Sequence, residues 1–440
     1  MSNAPKLSNL ADMVRDRAKS RGDALAYEFE GRQTSFAEFD VKTNRVANAL
    51  IAMGIKKGER IAYLGKNSDF YFELLMGAMK AGVVMAPVNW RLAGPEVAFI
   101  VDDCKAPVLF VGPEFITQAR NIKDKLPSVR SIITTEGGAP EWPDFVAWRD
   151  AQSGDDPRVV IEPRDIAIQL YTSGTTGKPK GAMLSHANFL NLVQSGNEAD
   201  KPDWNKWTTD DVSLVAMPIF HIGGSGWGVM GLYHGARGVI AREFDPTKVL
   251  DFFEQSGITK LFMVPAAMQF VVRQPRARQV DFSRLKYMLY GASPIPAALL
   301  KECIEVFKCG FVQMYGMTET TGTIVALPPE DHVEARADAL GRQGGGRRRA
   351  RDSRRERQAA AAARSRRDSH PLRLQHDRLL ESARGHREDD RRRRLAAHRR
   401  CRLHGRGWLS LHPRPHQGHD HLRRREHLSG RGRERAVRSS

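Results

Sequence analysis

Tyr171-Thr172-Ser173-Gly174-Thr175-Thr176-Gly177-Lys178-Pro179-Lys180-Gly181 directly follows the apolar run Ile166-Ala167-Ile168-Gln169-Leu170. Within eleven residues it holds three glycines, two lysines and four hydroxyl side chains besides the leading tyrosine. An apolar strand that runs into a flexible, donor-rich, cationic loop suits a polyphosphate. Glycines let backbone N–H groups approach the anion, hydroxyls donate to its oxygens, and lysines offset its charge. It is not a Walker loop, which needs Gly-x-x-x-x-Gly-Lys-Ser/Thr opening a helix. Here Pro179 follows the lysine. The plainer reading is a glycine-rich turn between two strands.

Outward from this loop the chain divides in two. Residues 1–340 carry 19 Lys and 19 Arg against 40 acidic residues, a net charge of −2. Residues 341–440 carry 31 Arg, no Lys and 11 acids, so the whole-chain charge of +18 belongs to the last hundred residues. Up to about Leu340, helix-like and strand-like segments alternate. Ser35-Phe36-Ala37-Glu38 is a capping-box pattern opening a helix, whose face Phe36, Phe39, Thr43, Val46 and Leu50 forms before Gly54. Ile61–Leu64 reads as a strand, Phe70–Lys80 as a helix and Val83–Pro87 as the next strand. The apolar runs 108–111, 212–217, 260–264, 287–290 and 311–314 repeat the theme. Short buried strands between helices predict an α/β fold with stacked, mostly parallel sheets flanked by helices. Ligands in such folds gather beyond the carboxyl ends of the strands.

The last hundred residues contain no Phe, Tyr, Met, Ile, Asn, Lys or Thr, and hold ten of the 14 histidines. Such a composition predicts disorder, because it buries too little apolar area to offset conformational entropy. Most of the missing residue types have AT-rich codons, which points to GC-rich DNA read out of frame. The alternative is a basic arm for nucleic acid. No run of 18 apolar residues exists, so no transmembrane segment is expected. The N-terminus lacks a basic-then-apolar leader, so the expected location is cytoplasmic. Cys104, Cys303, Cys309 and Cys401 have no zinc or disulfide spacing and read as reduced thiols.

Four further clusters close predicted strands: Pro87-Val88-Asn89-Trp90-Arg91, Pro218-Ile219-Phe220-His221-Ile222-Gly223-Gly224, Tyr290-Gly291-Ala292-Ser293-Pro294 and Tyr315-Gly316-Met317-Thr318-Glu319-Thr320. Each has an ordinary structural reading: a packed histidine, a turn, or a capping threonine. Their joint order and spacing resembles the acyl-adenylate-forming superfamily of acyl-CoA synthetases, luciferases and peptide-synthetase adenylation domains. The chain looks most like a medium- or long-chain fatty-acyl-CoA ligase.

That resemblance implies an AMP-binding (adenylation) domain over residues 1–340 and an ATP-dependent acid–thiol ligase using ATP, Mg²⁺ and coenzyme A. A carboxylate and ATP would give acyl-AMP and pyrophosphate, and the thiol of coenzyme A would then displace AMP. It further implies that Thr172, Ser173, Gly174, Thr175, Thr176, Gly177 and Lys178 wrap the β- and γ-phosphates. Tyr315 would lie against the adenine, with Gly291 and Ala292 lining the adenine and acyl pockets. Thr318 would bind the α-phosphate and Glu319 the Mg²⁺. His221 would stand between the acyl pocket and the pantetheine channel. Gly223 and Trp227 would line the acyl tunnel, Trp227 as its wall.

The family continues with a Thr-Gly-Asp ribose motif, a hinge and a C-terminal domain carrying a catalytic lysine, and this sequence shows none of them. Family-like ribose-motif and hinge segments, written in GC-rich codons and read one base out of register, reproduce the stretches 395–405 and 416–435. The expectation is a frameshift near residues 335–342, an incomplete 1–340 domain, a 341–440 out-of-frame tail, and a copy with little or no activity. Two readings stay beside this one. One is an adenylating enzyme for an aryl or other carboxylic acid; no aspartate stands out to pair with a substrate ammonium. The other is a polyanion-binding protein acting through the basic tail, although the net charge of 1–340 favours no specific nucleic acid.

Overall fold

The computed structural model describes residues 7–172, 178–194 and 200–332. Four- to eight-residue runs, most of them apolar, form its strands: β1 (Leu25–Phe29), the polar β2 (Arg32–Ser35), β3 (Arg60–Leu64), β4 (Val84–Pro87), β5 (Val108–Val111), β6 (Ser131–Thr134) and β7 (Ile166–Thr172). They continue with β8 (Lys180–Ser185), β9 (Val212–Val215), β10 (Arg237–Ile240), β11 (Lys260–Met263), β12 (Tyr287–Gly291), β13 (Gly310–Met317) and β14 (Gly322–Leu327). Two sheets result, one of order β14-β13-β12-β11-β9-β10-β1-β2 and one of order β6-β5-β3-β4-β7-β8. Neighbours run parallel except β1–β2, β7–β8 and β13–β14, and each of these antiparallel pairs sits at a sheet edge.

Three apolar clusters organise the layers. One joins residues of both sheets, among them Tyr27, Ile61, Met85, Ile168 and Val215. A second packs the helices Pro246–Ser256, Pro265–Val272 and Ala297–Phe307 on the eight-stranded sheet. The third packs Gly94–Asp103 and Ile116–Ile122 on the six-stranded sheet. The arrangement is the predicted one, stacked and mostly parallel sheets flanked by helices.

The helix Asp69–Ala81 is buried on every face, as an apolar helix between two sheets must be. Its charges are therefore all paired: Asp69 with Arg32 at 2.7 Å, Lys80 with Asp40 at 2.6 Å, and Glu73 with both Arg149 and Lys42. The capping box expected at Ser35 forms, with Glu38 N–H donating to Ser35 Oγ (3.2 Å) and Ser35 N–H to the Glu38 carboxylate (2.8 Å).

One boundary departs from the sequence reading. Tyr315-Gly316-Met317 does not follow a strand but completes β13, which runs three residues past Met314. The reason is β14, which folds back antiparallel and pairs Tyr315 with Val325 and Met317 with Gly322. Those added partners extend the ladder through the motif.

Candidate active site

β7 and β8 form a hairpin in which Thr172 lies opposite Lys180 and Tyr171 opposite Gly181. The described residues on either side of the opening loop are thus the ends of two paired antiparallel strands. Ser173, Gly174, Thr175, Thr176 and Gly177 lie outside the described residues. Their flanks are anchored: Tyr171 OH donates to Asp103 at 2.6 Å, and the Lys178 ammonium stands 5.8 Å from the Phe99 ring centre.

Beyond the carboxyl ends of β9, β11, β12 and β13 opens a cavity of about 700 Å³. His221, Gly223, Trp227, Ala292 and Thr318 line it. Thr172, Lys178, Gly291, Tyr315 and Glu319 are not part of its wall. Strand alternation explains part of the division: Met314 and Gly316 face the cavity, so Tyr315 faces away and is 66% exposed. Gly291 is buried within β12, where a Cβ would strike the Met314 carbonyl. Glu319 is exposed on the Thr318–Thr320 turn at the rim. That turn lies against β8, so the strand leaving the phosphate-type loop and the Thr318-Glu319 pair meet at one place.

Buried polar groups hold the His221 loop. Asn67 donates to the Met217 and Ala241 carbonyls (3.2 and 2.9 Å) and accepts from Ile219 N–H (3.0 Å). Ser225 donates to the Ile219 carbonyl and accepts from Tyr71 OH at 2.6 Å. At Gly224 a Cβ would enter the Pro218 carbonyl, so only glycine lets the helix Ile222–His234 begin so close to the loop. His221 caps that helix and packs on Phe220, with ring centres 4.5 Å apart. Its pKa lies below the ordinary imidazole value, first through desolvation and then through the nearby Arg91 charge, which favours a neutral ring. Arg91, the last residue of the Pro87–Arg91 cluster, lies over Trp90 at 4.8 Å and also lines the cavity, although the motif gave it no role of its own.

At the opposite rim the chain reverses through two left-handed residues, Thr321 (φ 60°) and Gly322 (φ 101°). Thr320 Oγ1 accepts from Met317 N–H at 3.1 Å and donates to the Gly322 carbonyl at 2.9 Å, bracing the turn. Ala292 is also left-handed, at φ 65°. Two non-glycine residues in this costly region thus flank one cavity.

For a divalent cation, no group of three or more His, Cys, Asp or Glu side chains exists among the described residues. A lone exposed carboxylate such as Glu319 suits an ion held mainly by phosphate oxygens and water, the usual mode of Mg²⁺ on a nucleotide.

Comparison with known proteins agrees with this architecture. The pattern describing an AMP-binding enzyme matches residues 14–345. A fatty acid–[acyl-carrier-protein] ligase, ScoC, of Streptomyces coeruleorubidus is 37% identical over 330 residues, covering 75% of this chain and 62% of that protein. An indoleacetate–CoA ligase of Aromatoleum aromaticum is 34% identical over 340 residues, 76% of this chain and 64% of its own length. The inhibitor-bound N-terminal domain of FACL13 from Mycobacterium tuberculosis superposes with a TM-score of 0.68 at 29% identity, covering 74% of this chain and 80% of that one. The chain therefore spans less than two thirds of the length of these curated relatives. It belongs to the family of AMP-binding enzymes.

Proposed function

We propose that residues 1–340 are the nucleotide- and acid-binding part of an AMP-forming acid–thiol ligase, which activates a medium- or long-chain fatty acid with ATP for transfer to coenzyme A. The observation that carries this reading is the meeting of an apolar cavity, the Thr318–Thr320 turn and the hairpin of the phosphate-type loop. A carboxylate is a poor electrophile because its leaving group would be oxide. Joining it to AMP supplies a far better one. Thr318 at the cavity mouth would donate to the α-phosphate as charge develops there. Lys178 and the loop 172–177 would hold the outer phosphates, Glu319 would hold Mg²⁺, and Tyr315 with Gly291 and Ala292 would receive the adenine. Mg²⁺, when bound, offsets phosphate charge. His221 would orient the acyl group at the channel for the thiol. Gly223 and Trp227 would contact the acyl chain.

An aryl acid is the second reading, supported by the rings of Trp207, Trp227 and Phe262 in the cavity wall. Residues 341–440, with their +20 charge and restricted composition, are proposed to be an out-of-frame tail that does not contribute to the site.

Calorimetric titration with ATP, with and without Mg²⁺, tests the nucleotide site. The protein should bind ATP more tightly with Mg²⁺, and Glu319→Gln should lose most of that gain, about tenfold or more. No ATP binding by the folded protein in either condition would overturn the reading.

A further inference from the structure

The cavity has a defined back wall, and it is not the residue that the acyl-tunnel pattern singles out. Trp227 is 8% exposed and donates its indole N–H to the Leu214 carbonyl at 3.0 Å, which fixes it in the side of the cavity. Trp207, in the segment before β9, also lines the cavity and packs on Trp227 with ring centres 5.3 Å apart. One contact of Trp207 is a parallel stack with His234, 5.4 Å between centres and 4° between planes. Another is with the Lys260 ammonium, 4.5 Å from the ring centre. Lys260 in turn donates to the Lys206 carbonyl, one residue before Trp207, and pairs with buried Asp211 at 3.4 Å. The indole is therefore clamped through its own ring and through its backbone neighbour.

Two independent elements place this ring at the end remote from Thr318. His234 closes the helix whose N-cap, His221, stands at the mouth, and thirteen residues of helix span about 20 Å. Lys260 opens β11, whose carboxyl end leads to Val264 in the cavity wall, and four strand steps span about 13 Å. Between mouth and Trp207 the helix turns Gly223, Gly226, Met230 and Tyr233 towards the cavity.

We propose that Trp207 is the specificity-determining residue that limits how long an acid this site accepts. An indole clamped by the residue that opens β11 shortens the space left for an extended chain, so the fitting acids are of medium length. The inference rests on the acid-activating reading above and narrows it.

The test uses the full 440-residue protein and 5′-O-(acylsulfamoyl)adenosines, stable mimics of an acyl-adenylate, with octanoyl, decanoyl, dodecanoyl and hexadecanoyl chains. Affinity is measured by calorimetry. The unaltered protein should bind the decanoyl compound at least about tenfold more tightly than the hexadecanoyl compound. Trp207→Ala should recover about tenfold or more for hexadecanoyl while changing octanoyl little, and Trp207→Phe, which keeps a ring, should retain the original preference. Equal affinity of the unaltered protein for decanoyl and hexadecanoyl compounds overturns the inference without any variant. So does a Trp207→Ala protein that binds but keeps the original length preference. Failure of every acyl compound to bind, with the fold intact by circular dichroism, removes the acid-activating reading and this inference with it.

Discussion

Thr321 shows how a single residue departs from what its chemistry prefers. A β-branched side chain at φ 60° is sterically unfavourable, and its buried Oγ1 has no hydrogen-bond partner among the described residues. Strain of this kind persists where surrounding structure imposes it, and here it turns the chain back beside Thr318. Thr321→Gly is expected to stabilise the fold by about 1 kcal/mol, seen as a raised denaturant midpoint with unchanged slope. It should at the same time weaken binding of an acylsulfamoyladenosine, because the turn loses its imposed geometry. The Gly, Thr, Glu and Lys residues proposed for the site lie in motifs legible in the sequence, since phosphate chemistry restricts residue types over a short stretch. Trp207 was not legible, because it acts through neighbours far away in sequence, Lys260 and His234.

At the level of elements, the helix Asp69–Ala81 carries the sharpest energetic demand. Glu73 is 1% exposed, and desolvation raises its pKa against the lowering pull of Arg149 and Lys42. Removing one partner leaves a buried carboxylate short of compensation. Arg149→Met should therefore cost about 3–5 kcal/mol, read from chemical denaturation. Adding Glu73→Leu should restore much of it, since neither charge is then stranded. The helix itself was readable from its apolar run, and the parallel strands from theirs. The antiparallel edge strands were harder to see. β8 leaves Lys180 and Met183 exposed and β14 leaves Val325 exposed, so neither shows apolar residues on one buried face, and each pairs with the strand just before it in sequence. That is also why β13 was read as ending at Met314.

At the scale of the whole molecule, folding strongly favours the neutral form of fully buried His186 and half-buried His234. His186 Nδ1 accepts the Leu10 N–H at 3.1 Å, and desolvation lowers its pKa to about 4. His234, stacked on Trp207, is lowered to about 3, again mainly by desolvation. Unfolding returns both to an ordinary value near 6.5, so the unfolded chain takes up protons first. Their stabilising contribution is complete above about pH 6.5 and is lost as the pH falls from there towards 4. For His186 the loss is on the order of 3 kcal/mol. Melting temperature measured from pH 7 to 4.5 should fall, and His234→Phe, which keeps a ring on Trp207 but cannot titrate, should make the fall shallower. A last consequence concerns the seam between the sheets. β8 belongs to the six-stranded sheet and the Thr318–Thr320 turn to the eight-stranded one, yet they touch. A nucleotide gripped by both would act as a rivet between the slabs. Amide exchange in β8 and in the 318–323 reversal should then slow together on loading, as one cooperative patch drawn from opposite halves of the architecture.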